Sequence, residues 1–145
     1  MSGELNTNAA FLALVALVQN LVGMQGTVYQ GVPESFAGNV SAYVAIGDLR
    51  VTDRTTGNYL EFEQDFLIVF GYRVRGAEQT AEQKVAEFKD KFVRALFHDR
   101  TLGDVVNKVT LISGLAGSPQ YLAFAGSETR LYPMAVRICQ AETIT

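Results

Sequence analysis

The stretch from Tyr59 to Arg75 constrains this chain more than any other, because its residues alternate. Leu60, Phe62, Phe66, Ile68, Phe70, Tyr72 and Val74 make the even positions apolar, with Gln64 as the exception. Successive side chains of a strand point to opposite sides, so this period of two marks a β-strand with one buried face. The odd positions form a graded second face, acidic at Glu61, Glu63 and Asp65, apolar at Leu67 and Val69, and basic at Arg73 and Arg75. At ~3.3 Å per residue the stretch would extend ~56 Å, beyond the usual strand of ~3–10 residues. Either a bulge or bend, with Gly71 a natural place for it, divides the stretch into two ordinary strands, or an arm projects past the core.

Ser41 to Thr52 also reads as extended, and the turn formers Asp53-Arg54-Thr55-Thr56-Gly57-Asn58 separate it from the long stretch. Together they make a hairpin with its tip around Gly57. A projecting tip would carry the acidic residues Glu61, Glu63 and Asp65 toward the Arg73 and Arg75 region of a neighbouring copy, a head-to-tail contact that closes into a ring. An acidic strand face can equally be solvated. Those five residues are the candidate subunit interface.

Two helices flank the hairpin in sequence. The first is expected from about Asn8 to Met24, capped by Asn6 or Thr7 and ended near Gly23 or Gly26. Phe11, Leu14, Val15, Val18, Leu21 and Val22 share one face, with Ala9, Ala13, Ala16 and Asn20 opposite. The alanine face is either exposed or open to close approach by another helix. The second helix is expected from Thr80 to about His98, its start marked by the capping-box spacing Thr80 to Gln83. Ala81, Val85, Phe88, Phe92, Ala95 and Leu96 form its core face, Glu87 with Lys91 and Asp90 with Arg94 lie at i,i+4 spacing, and Ala86, Val93 and Phe97 form a second apolar flank. That flank is the edge of the core or an intersubunit contact.

Thr27 to Gln30 reads as a short strand and Gly31 to Asn39 as a loop. After His98-Asp99-Arg100-Thr101, a connection with room for one helical turn leads to a strand at Lys108 to Leu115, a turn region at Gly114 to Pro119 and a last strand at Arg130 to Glu142. Tyr132, Met134, Val136 and Ile138 alternate on its buried face, and Pro133, which lacks a donor, requires an edge or an interrupted ladder. This order implies an α+β fold, a mainly antiparallel sheet with a long β-hairpin and both helices packed on one face.

A chain of 145 residues, 48% hydrophobic, forms one domain able to bury a core without disulfides or metal, and Cys139 is its single cysteine. Only 19% of residues are charged, below the ~25% of typical soluble domains, so part of the surface is expected to be covered in an oligomer. A net charge of -3 with scattered Lys and Arg argues against a dedicated nucleic-acid-binding module. The apolar run Ala9 to Val18 is about half the ~20 residues that cross a bilayer, and no basic residue precedes it as a secretory signal would require. No membrane role and a reducing, cytosolic setting are expected.

Catalysis needs converging nucleophiles, bases or ligands. His98 stands alone at a helix end, where it complements the helix dipole or packs. Cys139 lacks a CxxC partner and reads as a small hydrophobe. GxxxxGK[ST], GxGxxG, HExxH and zinc patterns are missing from the sequence. The reading is no enzyme, no cofactor and no metal.

The chain resembles the tail terminator and neck proteins of long-tailed bacteriophages. Three stretches carry the resemblance: the apolar helix Ala9 to Met24, the turn and strand from Gly57-Asn58-Tyr59 through Phe66-Leu67-Ile68-Val69-Phe70, and the passage Arg94-Ala95-Leu96-Phe97-His98-Asp99-Arg100-Thr101-Leu102-Gly103. The loop Gly31 to Asn39 and the glycine-rich segment Gly114 to Gly126 fit the pattern less well. The resemblance implies a virion protein of the tail or neck, assembled in the host cytoplasm. Its copies would form a ring, typically of six, that ends the tail tube and joins it to the head-completion or connector protein. DNA would pass through the channel without specific binding, with acidic residues repelling its phosphates. The alternatives are a small-molecule-binding module using the apolar sheet face and a host dimeric scaffold.

Overall fold

The computed structural model describes residues 6–22, 26–33, 40–54, 59–74, 78–106, 108–112, 120–124 and 127–143. The tip around Gly57, Arg75, the expected end of the first helix at Gly23 and the turn region Gly114 to Pro119 lie outside the described residues.

Helix α1 runs from Thr7–Val22. Asn6 is its N-cap: the side-chain Oδ1 accepts from the Ala9 N–H at 3.0 Å and the main-chain carbonyl accepts from Ala10 at 3.1 Å. Ala10, Leu14, Val15 and Val18 are buried, with Phe11, Ala13, Leu17 and Leu21 packed beside them. Leu12, Ala16 and Asn20 are exposed. The expected alanine face is thus divided, Ala13 turning inward and Ala16 outward.

Strand β1 (Gly26–Gln30) pairs in parallel with β2 (Val40–Arg54), and β2 pairs antiparallel with β3 (Tyr59–Val74). Helix α2 (Glu78–His98) leads to β4 (Lys108–Ile112), β5 (Gln120–Phe124) and β6 (Ser127–Thr143). The sheet has six strands in the order β1-β2-β3-β6-β4, with β5 also on β6. Both helices pack on one face, as expected for this α+β arrangement: α1 covers β1 and β2, and α2 covers β3 and β6.

The long stretch is not divided. β3 continues through Gly71, which pairs with Ser41 on one side and Leu131 on the other. Its 16 residues reach ~53 Å at ~3.3 Å each. The irregularity falls instead in β2, where the register shifts between Ile46 and Leu49. Gly47 suits that close approach, because a Cβ would come within 3.1 Å of the Asp65 carbonyl oxygen.

The core lies between the even face of the sheet and the helices. Phe66, Ile68, Val44, Val136 and Ile138 are fully enclosed, and Phe70 stacks on Phe88 at 4.1 Å between ring centroids. Burying each such side chain contributes ~1.5–3 kcal/mol. α2 begins at Glu78, so Thr80 sits exposed inside its first turn rather than capping it. Its core face is as expected, but its carboxylates pair with other cations than the expected Lys91 and Arg94, Glu87 with Lys84 at 3.7 Å and Asp90 with Lys89 at 3.4 Å.

After α2 the chain makes a left-handed turn. Leu102, Gly103 and Asp104 have φ of 50°, 69° and 65°. The Asp99 carboxylate accepts from the Gly103 N–H at 3.0 Å and the Thr101 hydroxyl from the Asp104 N–H at 3.2 Å, which stabilises a conformation that non-glycine residues rarely adopt. The turn drives Leu102 and Val106 into the core.

The sequence also left β5 within a glycine-rich segment. Pro133 sits where a residue without an N–H fits: β5 pairs with 127–131 of β6 and β4 with 135–139, so the ladder on that side is interrupted at Pro133.

Candidate assembly surface

In the distal part of the sheet, here called the arm, β2, β3 and β6 run together to Arg54, Tyr59 and Thr143. Its odd face carries the candidate acidic residues. Cross-strand register sets Glu63 opposite Arg50 and Asp65 opposite Arg137. The Asp65 carboxylate accepts from Nε and Nη2 of Arg137, at 2.9 and 3.5 Å, and from Arg50 Nη2 at 2.9 Å to each oxygen. Glu63 lies 3.5 Å from Arg137 Nε. Burial alone would raise the Asp65 pKa, but the hydrogen bonds and charges of Arg137 and Arg50 outweigh it and hold the carboxyl below the usual range.

Asp65 is therefore engaged within its own chain. Arg73 pairs in register with Thr129, ~26 Å along the strand from Asp65, so the structure keeps the acidic and basic ends of β3 apart within one chain. The sequence reading missed Arg50 and Arg137 as partners of the acidic face. Arg137 follows the odd alternation of β6, but its register against β3 could not be read from sequence.

Gln64, the polar exception on the even face, is buried under the β2 bulge. Its side-chain nitrogen donates to the carbonyls of Gly47, Asp48 and Asp65 at 3.0, 3.3 and 2.9 Å. A bulge disrupts the ladder locally, and the Gln64 amide ties the carbonyls of Gly47 and Asp48 to β3 there.

On the even face the apolar side chains of β2 past Val44 are exposed, although Gln64, Phe66, Ile138 and Gln140 beside them on β3 and β6 are buried. Ile46, Leu49 and Val51 are 57%, 51% and 52% accessible, beside Phe62 and Phe66 of β3. Among the described residues, β2 past Val44 pairs with β3 alone, whereas β4 pairs with β6 and its Val109 N–H donates to the Arg100 carbonyl at 2.7 Å on the other side. At the β4 edge, Val93, Leu96, Phe97, Arg100, Val109 and Leu111 line a groove of about 20 Å³, far below the ~300–1,000 Å³ of ligand pockets. Phe97 is 65% exposed with the Arg100 guanidinium 4.9 Å above its ring, so the second apolar flank of α2 extends past the core.

His98 is exposed at the end of α2. Cys139 is half-buried opposite Glu63; burial first, and then that carboxylate, raise its thiol pKa, which disfavours a thiolate. Among the described residues no three His, Cys, Asp or Glu side chains converge as a metal site, and no helix is long and apolar enough to cross a membrane.

No family model and no curated protein matches the chain. Its fold is shared with a solved structure, the sheath/tube terminator of the PVC extracellular contractile injection system in the extended state. The two align with a TM-score of 0.62 and 8% identity over 100% of this chain and 58% of the other. The chain thus spans just over half the length of that terminator. At this identity the likeness is one of fold: helices on one face of a mainly antiparallel sheet built around a long hairpin.

Proposed function

We propose that this protein is a structural, non-enzymatic subunit of a bacteriophage tail or neck, forming a homo-oligomeric ring that ends the tail tube. The observation that carries the proposal is the alignment of the whole described fold with a sheath/tube terminator. The exposed apolar residues of the arm and of the α2 flank support it, since a ring subunit presents two different surfaces to its neighbours. In this reading the ring is hexameric, contacts the tail tube protein on one side and the head-completion protein on the other, and encloses a channel for DNA. The protein resides in the virion after assembly in the host cytoplasm. Glu61, Glu63, Asp65, Arg73 and Arg75 lie at or near the contact between copies; with Asp65 engaged by Arg50 and Arg137, its part is to keep the arm rigid.

The experiment is addition of the purified protein to polymerising tail tubes of the same phage. A terminator stops growth and appears as a cap on one tube end in electron micrographs. Tubes that lengthen unhindered and bare contradict the proposal.

A further inference from the structure

We infer that the exposed apolar stripe of β2 docks, side chain against side chain, on the Phe97 flank of α2 in a second copy. The inference rests on the ring reading and names its contact. Five of the seven large apolar side chains exposed among the described residues fall on two patches, Ile46, Leu49 and Val51 on β2, and Phe97 and Leu111 beside the groove. The patches lie toward opposite edges of the sheet, because β3 and β6 stand between β2 and β4. One chain therefore does not cover its own stripe with its own flank. Both patches open on the helix-bearing side, where Leu49 pairs in register with Gln64, Val51 with Phe62 and Leu111 with Val136. Copies set side by side by one repeated rotation bring the stripe of each to the flank of the next, the heterologous contact that closes a ring.

The charges beside the two patches are complementary. Asp48 is exposed in the stripe between Ile46 and Leu49, and Arg100 is exposed on the flank with its guanidinium over the Phe97 ring. Neither has an ion pair among the described residues. The other charges there are engaged within the chain: Arg50 is held by Asp65, and the Asp99 carboxylate accepts from the Gly103 N–H. The stripe thus offers an anion and the flank a cation, which favours stripe on flank over stripe on stripe or flank on flank. Both surfaces are also fixed before they meet. Gln64 ties the bulge of the stripe to β3, and the bond from the Val109 N–H to the Arg100 carbonyl fixes the end of α2 on β4. The contact needs no backbone pairing at β4. With Arg100 stacked over it, Phe97 stands out as an aromatic side chain whose ordering costs little on association, and Phe and Arg are residue types enriched in protein interfaces.

The test uses the full chain and reads its mass in solution against concentration. Phe97→Ala and Leu49→Lys, at exposed positions, are each expected to raise the concentration for half-assembly at least ~tenfold with an unchanged circular dichroism spectrum. Asp48→Arg and Arg100→Asp are each expected to raise it ~threefold or more, and the chain that carries both is expected to assemble as wild type does, because the exchanged charges oppose one another again only where these two positions meet. A wild-type oligomer that Phe97→Ala and Leu49→Lys leave undisturbed overturns the docking and leaves the ring standing. Charge variants that weaken assembly singly, with no recovery in the chain carrying both, also overturn it, since stripe and flank then touch other surfaces. A wild-type monomer at every concentration, including one that assembles only on another protein, overturns both the docking and self-assembly.

Discussion

At the residue scale, polar side chains on the arm do the work that packing does elsewhere. Asp65 is 19% exposed between two arginines, and replacing it with Asn removes the carboxylate that Arg50 and Arg137 share, leaving Arg137 only Glu63 at 3.5 Å. The loss expected from Asp65→Asn is ~1–2 kcal/mol at pH 7, the lower part of the range for charge-assisted hydrogen bonds because water still reaches the site. The pH dependence has a definite sign. The folded carboxyl titrates below its unfolded counterpart, so its contribution is complete above the ordinary Asp value of ~3.9 and disappears as pH falls through the folded value. Urea unfolding should therefore separate wild type from Asp65→Asn at pH 7 and bring them together in strong acid. Gln64→Leu matches the apolar pattern of its strand, yet it is expected to cost ~1–2 kcal/mol because three carbonyls lose their donor. Denaturant midpoints check this, and an unchanged or raised midpoint would show that the bulge does not need the amide.

At the element scale, the strongest local patterns are also the best-read elements. The even face of β3, the buried face of β6 and the core face of α2 are all visible as periods of two or of 3.6 in the sequence. Asn6 was one of two caps legible in the sequence, beside Thr7, and Asn6→Ala should lower stability by ~1 kcal/mol in thermal or urea melts. What escaped the sequence depends on register or on long-range partners. Thr80 has capping-box spacing, but the helix starts at Glu78, with Ala81 and Val85 anchoring it on the sheet. Gly71 invited a bulge, but two flanking strands pair with it on both sides, and the bulge formed at Gly47, where Gln64 caps it. The β5 strand lies in a segment whose glycines spoke for a loop; pairing with β6 outweighs that local preference. Arg50 and Arg137 came to Asp65 through register alone, and no spacing along the chain announces it.

At the scale of the whole molecule, the account joins a fold shared with a tube terminator to a chain that leaves apolar surface on two opposite sheet edges. A self-contained binding domain gains nothing from such exposed apolar side chains, whereas a ring subunit covers them against its neighbours. The central claim is that copies of this chain close into a ring. The measurement that tests it most directly is the mass of the purified protein in solution across a range of concentration and salt, with negative-stain images of the same sample. The account predicts a discrete oligomer seen as rings with a central hole. A protein that stays monomeric at the highest concentration and shows no rings would contradict it.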